Sequence, residues 1–510
     1  MTPDPVPPDP GPVPDPVADF RQRAARIRAE MGGQARIDAV HAAGALTVRE
    51  RLDGLLDPGS FRELGTFARS ERAADADHTP GDGKIGGWGR IDGRPVVAAG
   101  DDITVKRASS AAVGGRKLKR LFGAALRDGV PFVFFGETGG ARIPDMMGSD
   151  GFARIGPLVY PSLRGRRVPM VTVIVGASFG ASSFLAATSD LVVQLRGSCL
   201  AVSSPRLIEA ATGDQLTMDE LGGTEVHARR TGQIDLVAED EAASWQHVRR
   251  FLSYLPSSAQ TPPPRAEPVP PDGDTGLAAL VPQNRRQGYD MRRLLRGLVD
   301  AGSLLELKPA FARGLITALA RIGGHPVGVL ASQPLQQAGV LSPDACDKAT
   351  RMICLCDAFG LPLVFLHDTP GFMIGRQVEH DRLLGKAMLM QQAVAMAGVP
   401  RLAVIVRKSF GLADHAMSGV GLDSDLLVAW PGAEISFMDP QAAASVLGSR
   451  SADEVMLDPS PYGAAGGMSV DEVIDPASTR AVLHEALDRA ARRPFTPGTE
   501  RPLSSWPMSW

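Results

Sequence analysis

Two loops in each half of this 510-residue chain carry glycines where backbone amides, rather than side chains, could do chemistry. In the first half they are Glu137-Thr138-Gly139-Gly140-Ala141-Arg142-Ile143 and the stretch Gly176 to Ser183. In the second they are Asp368-Thr369-Pro370-Gly371-Phe372 and Ser409 to Met417. Each follows an apolar run that reads as a strand, and α/β sheets bind ligands beyond the C-terminal ends of their strands. A helix that starts there leaves N–H groups unpaired and partly positive, and small residues let a ligand reach them. Such donors, aimed where negative charge develops, form an oxyanion hole able to lower a barrier by ~3–4 kcal/mol per donor. Any one of these glycines could serve only a sharp turn; four loops in duplicated positions favour chemistry.

The elements that position these loops are themselves repeated. Arg90-Ile91 in GRIDGRPVV recurs 231 residues later as Arg321-Ile322 in ARIGGHPVG, and Lys117 and Arg120 recur at the same spacing as Lys348 and Arg351. GVPFVFFGETGG from Gly129 matches GLPLVFLHDTPG from Gly360, and Ser178-Phe179-Gly180 matches Ser409-Phe410-Gly411, again 231 apart. After a four-residue slip, Asp190 and Gly197 correspond to Asp425 and Gly432. Each half reads as strand, helix, strand, Gly-rich turn, strand, Ser-Phe-Gly turn, helix, strand. Charge-poor strands alternating with helices predict a mostly parallel sheet covered on both faces, so the expected fold is α/β with two duplicated domains. The uncharged run Val168 to Ser189 is long enough to span a bilayer, but it reads as strand, turn and small-residue helix.

Residues 1–17 place proline at almost every second position and predict a disordered tail. Residues Phe20 to Ala43 have helical spacing, and a short helix follows before Asp57-Pro58-Gly59. A second Pro-rich stretch, Pro256 to Gly276, reads as a linker. The expected division is therefore 18–256 for the first domain, 257–276 for the linker and 277–510 for the second. With 54 basic against 57 acidic residues, a net charge of −3 and a pI near 6.3, no basic field recruits nucleic acid or an anionic membrane. Cys199, Cys346, Cys354 and Cys356 form no zinc-type spacing, and no metal site is expected. The first residues have no signal-peptide character, so a cytoplasmic location is expected.

Taken together, LTVRERLDGLLDPGSF, GRIDGRPV, the TGGARI loop, the turn at Gly180, TMDELGGTEVHARRTGQID, LARIGGHPVGVLASQP, CDAFGLPLVFLHDTPGF and AWPGAEISFM resemble the carboxyltransferase (beta) subunits of acyl-CoA carboxylases, the propionyl-CoA and methylcrotonyl-CoA carboxylase group. The resemblance runs from about Leu46 to Thr479. It implies two crotonase-fold domains, the first binding an acyl-CoA and the second, from a neighbouring subunit of a homo-oligomer expected to be a hexamer, binding carboxybiotin. Biotin would be carried by a partner chain, because no Met-Lys-Met sequence is present and Lys386-Ala387-Met388 is a poor substitute. A biotin carboxylase and carrier partner is implied, with coenzyme A entering as part of the substrate.

Carried over residue by residue, the resemblance places the thioester-side oxyanion amides at Gly180 and Ala181, with Thr138, Gly139, Gly140, Ala141 and Arg142 around the acyl-CoA. It places the biotin-side amides at Leu412 and Ala413, with Thr369, Pro370, Gly371, Phe372 and Gly411 beside them. The chain departs from the family at Leu412, where the pattern has glycine, and at Asp414 and His415, where it has a Tyr-Asp pair next to the acyl pocket. It departs again in VKRASSAAVGG, Val105 to Gly115, where the family has a Phe-Gly-Gly-Ser stretch. Lys106 and Arg107 there, and Arg116, Lys117, Lys119 and Arg120 just after it, read either as contacts to CoA phosphates or as a solvated helix face. The implied reaction transfers a carboxyl group from carboxybiotin to the α or vinylogous carbon of an acyl-CoA. The reverse reaction, a biotin-independent crotonase-fold decarboxylase or lyase, and a non-catalytic scaffold are the alternatives.

Overall fold

The computed structural model describes residues 15–154, 165–274, 276–448 and 458–506. Two eight-stranded sheets follow one another along the chain. The first holds β1 (Arg62–Glu63), β2 (Lys84–Ile91), β3 (Arg94–Asp101), β4 (Phe132–Thr138), β5 (Met170–Phe179), β6 (Leu191–Leu195), β7 (Cys199–Ala201) and β8 (Leu236–Ala238). The second holds β9 (Leu305–Leu307), β10 (Leu315–Ile322), β11 (His325–Ser332), β12 (Leu363–Thr369), β13 (Arg401–Phe410), β14 (Leu426–Ala429), β15 (Glu434–Ser436) and β16 (Glu472–Val473). The strand orders, β1-β2-β3-β4-β5-β6-β8 and β9-β10-β11-β12-β13-β14-β16, are the same, with β7 added to β5 and β15 to β13.

The duplication extends to individual pairs. Val97 opposite Phe132 becomes Gly328 opposite Leu363, and Phe132 opposite Met170 becomes Leu363 opposite Arg401. Even the irregularity before Thr138, which sets Thr138 against Ser178, returns before Thr369, set against Ser409. The expected parallel core from β3 to β8 is present, but each sheet opens with antiparallel strands. Asp92 and Gly93, both at positive φ, close the β2–β3 hairpin as the two-residue turn that matches strand twist. The uncharged stretch forms β5, a turn and the helix Ala181–Ala187, and no helix among the described residues is long and apolar enough to cross a membrane.

Two expectations change. Phe20 to Ala43 is not one helix: Pro16–Glu30 and Gln34–Ala42 are separated at Gly32, where a side chain would strike the Thr104 carbonyl. The first of these begins at Pro16, inside the stretch read as a disordered tail, whose residues 1–14 lie outside the described ones. The Pro-rich stretch read as a linker is tied to both halves over its described residues. Ala259 donates to Arg167 O, and Ala266 donates to Gly324 O. The absence of N–H groups at its prolines leaves few donors to satisfy against protein.

The halves are locked together by a buried ion cluster. Lys308 Nζ and Arg351 Nη2 each lie 3.1 Å from a different oxygen of Asp235. Burial alone would raise the Asp235 pKa, and the two cations overcome this and hold it below the usual range. Burial also pushes Lys348 down to about 7 and lowers His227, His247 and His367. In each case the folded chain binds a proton less readily than the unfolded one. The imidazole contribution is full above the reference value of ~6.5 and lost below it, and the lysine contribution is already falling as pH drops toward 7. Urea-unfolding midpoints should therefore fall from pH 8 to pH 6; a flat or rising midpoint would contradict these burials.

Candidate active site

In each sheet the two central strands end side by side, β4 with β5 and β12 with β13. Beyond β5, Gly180 takes φ 65° and ψ −117° and starts the helix Ala181–Ala187. Beyond β13, Gly411 takes φ 61° and ψ −157° and starts the helix Leu412–Ala416. The left-handed φ lets the chain reverse from strand to helix, and glycine adopts it without steric penalty. Each glycine's own N–H is already used: Gly180 donates to Val202 O at 3.1 Å, and Gly411 to Ser436 O at 3.0 Å. Gly180 was expected as an oxyanion donor; with its N–H tied to the neighbouring β7 edge, it acts here as the hinge that presents the next residue. The N–H groups of Ala181 and Ser182, and of Leu412 and Ala413, have no partner among the described residues.

The neighbouring loops are tied down by backbone contacts. Thr138 is buried and donates from Oγ1 to Ala108 O at 2.9 Å, while Gly139 N–H donates to Arg107 O at 3.0 Å. Gly140, at φ 97°, accepts from Ser110 N, so Gly139 and Ala141 stay at the surface of a fixed loop. The counterpart loop folds alike: Thr369 is buried, Gly371 at φ 129° accepts from Leu341 N, and Pro370 and Phe372 are half-buried.

Arg142 and Asp414, expected at the substrate, are buried and occupied. Arg142 Nη1 pairs with Asp82 at 2.5 Å, and its Nη2 donates to Ser109 O, so it anchors the loop. Asp414, 5% exposed, accepts from Ser409 Oγ at 2.6 Å and from Val420 N at 2.8 Å. His367 Nδ1 lies 2.8 Å from the same Ser409 hydroxyl. This Ser–His–Asp set is no nucleophilic triad, because its hydroxyl is fully buried and lies between the other two groups. Leu412 keeps its side chain exposed, and His415, half-buried, has an Nδ1 shielded from solvent without a hydrogen-bond partner.

The ELGG…H motif supports the first turn from behind. Gly222 lies where a side chain would strike Leu200 O, and His227 Nε2 lies 2.6 Å from that same oxygen. Leu200 belongs to β7, which pairs with the end of β5. Of the basic residues near Val105, Lys117 is buried with Nζ on Gly65 O, Lys106 pairs with Asp75, and Arg116 with Glu71. Among the described residues one grouping, His325, His484 and Asp488, brings metal-type ligands together. The Arg265 guanidinium donates to both His325 and Asp488.

Paired sheets that each end in a positive-φ glycine and open backbone amides offer two places where the oxyanion of a thioester or a related carbonyl can be stabilised. The comparisons name the family: residues 39–501 match the carboxyl transferase domain, and the chain belongs to that family of carboxyltransferase enzymes. It is 36% identical to the methylmalonyl-CoA carboxyltransferase 12S subunit of Propionibacterium freudenreichii subsp. shermanii, over 91% of this chain and 92% of that one. It is 35% identical to the propionyl-CoA carboxylase beta chain of Roseobacter denitrificans, covering 92% and 94% respectively. The solved transcarboxylase 12S hexamer assembly with hydrolysed methylmalonyl-coenzyme A bound superposes with a TM-score of 0.88 at 36% identity, covering 94% of this chain and 96% of that one. The duplicated crotonase-like fold and the carboxyltransferase reading of the sequence both stand.

Proposed function

We propose that this chain is the carboxyltransferase subunit of a biotin-dependent acyl-CoA carboxylase. The first half, 18–256, takes the acyl thioester, and the second, 277–510, takes the carboxybiotin of a partner chain. The observation that carries this reading is the pair of equivalent helix starts with open amides, Ala181 with Ser182 and Leu412 with Ala413. Carboxyl transfer generates two oxyanions, one on the thioester and one on the ureido ring, and needs a hole for each. When bound, carboxybiotin supplies the carboxyl group and a base for the α-proton. The protein holds both partners in register, which offsets the entropy of a two-substrate encounter, and offers preorganised N–H donors to each developing charge. Leu412 leaves its N–H available and its side chain exposed, and the backbone of exposed Phe437 lies against the preceding Gly411.

The two sites also carry matching apolar rims. Ile143 and Ile374 are 73% and 92% exposed, and Val202 and Phe437 are 67% and 76% exposed at corresponding places in the two halves. Paired apolar rims suit a contact that joins the acyl site of one copy to the biotin site of another, in a hexamer like that of the transcarboxylase 12S relative. Four buried free thiols suit a cytoplasmic enzyme.

Mixing the purified chain with a carboxylated biotin carrier and a panel of acetyl-, propionyl-, branched and carboxylated acyl-CoAs should give carrier-dependent carboxyl transfer. His415→Ala should alter the order of kcat/KM across the panel, since His415 follows the biotin-side amides where the family has a residue next to the acyl pocket. Transfer or decarboxylation without any biotin would refute the reading, and an unchanged order would remove His415 from specificity.

A further inference from the structure

We propose that Arg107 pairs with a carboxylate on the acyl group and so makes the first site selective for 2-carboxyacyl-CoA over the uncarboxylated thioester; this rests on the acyl-CoA reading of that site. Lys106, Arg107 and Ala108 are three consecutive non-glycine residues at positive φ, 48°, 56° and 50°. The left-handed region costs an L-residue roughly 1–2 kcal/mol, so a side chain retained there invites an explanation. Two of the three have one. Lys106 Nζ pairs with Asp75 at 3.0 Å. Ala108 is buried, and its carbonyl accepts from Lys84 and Thr138. Arg107 is exposed, and its guanidinium makes no hydrogen bond or ion pair with any described residue.

The side chain is placed beside the acyl loop. Arg107 O accepts the Gly139 N–H at 3.0 Å, and a Cβ built on Gly139 would lie 3.4 Å from Arg107 Cβ and 3.6 Å from its Nε. The guanidinium stem therefore lies over Gly139, in the space that glycine's missing side chain leaves. Gly139 leaves β4 directly after Thr138, which is opposite Ser178 on β5, two residues before the Gly180 turn. The backbone of the duplicate turn is the same, but the residue is Ala338, at φ 54°. The second half thus shows that the turn needs no cation; only the thioester half carries one.

An unpaired guanidinium beside a thioester pocket is matched by a planar carboxylate, which it binds through two parallel hydrogen bonds. Carboxyl transfer itself creates or consumes such a group on the carbon next to the thioester. On that reading the acyl carbon lies at the Gly180 turn and the long pantetheine arm carries the CoA phosphates away from it, which makes the acyl carboxylate the anion expected beside Gly139 and Arg107. Pairing with it would retain the carboxylated thioester and orient its carboxyl group for transfer in either direction.

Direct binding measurements separate this from a structural role and from phosphate recognition. Titrating the wild type, Arg107→Gly and Arg107→Lys with propionyl-CoA, methylmalonyl-CoA and glutaryl-CoA reads the affinity for no carboxylate, an α-carboxylate and a distal one. Arg107→Gly relieves the backbone, so its melting temperature should equal or exceed the wild type's. It should weaken methylmalonyl-CoA about 10-fold or more, as expected for a lost charged pair, and leave propionyl-CoA within about twofold, with Arg107→Lys in between. A loss confined to glutaryl-CoA would overturn the α-carboxylate assignment, equal losses for all three would assign Arg107 to the CoA phosphates, and no loss would leave it without a binding role. Failure of the wild type to bind any acyl-CoA would instead sink the reading of the site.

Discussion

Replacing Ala181 with proline is expected to lower kcat by about 10²- to 10³-fold while leaving the fold and acyl-CoA affinity nearly intact. Ala181 is the first residue of its helix, so its N–H has no place in the intrahelical ladder, and proline's fixed φ suits that position. Gly180 still donates to Val202, and Phe184 still donates to Gly180 O. The only donor removed is the open one. Proline at Gly180 itself would be a poorer test, because that residue sits at φ 65° and proline requires a negative φ. If single-turnover carboxyl transfer by Ala181→Pro stays within about threefold of wild type, the thioester oxygen does not use this amide.

The duplicated fold and the places of these loops were legible in the sequence. The constant spacing of 231 between Arg90 and Arg321, Gly129 and Gly360, and Ser178 and Ser409 is a statement about register: the pairs Val97–Phe132 and Gly328–Leu363 obey it. Sequence spacing can locate a loop because strand ends and turns are local. It cannot say what a side chain meets when the partner is remote. Arg142 looked like a substrate contact until Asp82, 60 residues earlier, was found beneath it. Asp414 looked like a pocket residue until its carboxylate proved to cap Val420 and hold Ser409. Gly180 illustrates a subtler limit, since its positive φ is implied by the turn, but the capture of its N–H depends on Val202, which follows β7, 22 residues later. Other signals were present and unread. The Asp92-Gly93 dipeptide marks the antiparallel hairpin, and Gly32-Gly33 marks the helix break.

The same logic predicts recovery of activity from two inactive proteins. Leu412 is the first residue of its own helix, after Gly411 at φ 61°, so Leu412→Pro removes the amide proposed for biotin as Ala181→Pro removes the one proposed for the acyl group. Each variant alone should be nearly inactive, because every site it builds lacks one donor. If the acyl half of one copy works with the biotin half of another, a mixed pair contains one site with both defects and one with neither. Dissociating and reassociating equal amounts of the two variants should then form mixed pairs about half of the time, and about a quarter of all sites should be intact. Activity near a quarter of wild type is the expected plateau, reached only after subunits exchange. Were each chain to use its own two halves, no mixture could build an intact site, and activity would stay at the level of the separate variants. The matching rims at Ile143 and Ile374 and at Val202 and Phe437 favour the first outcome, since four exposed apolar side chains around the two sites are best covered by a second copy brought in opposite orientation.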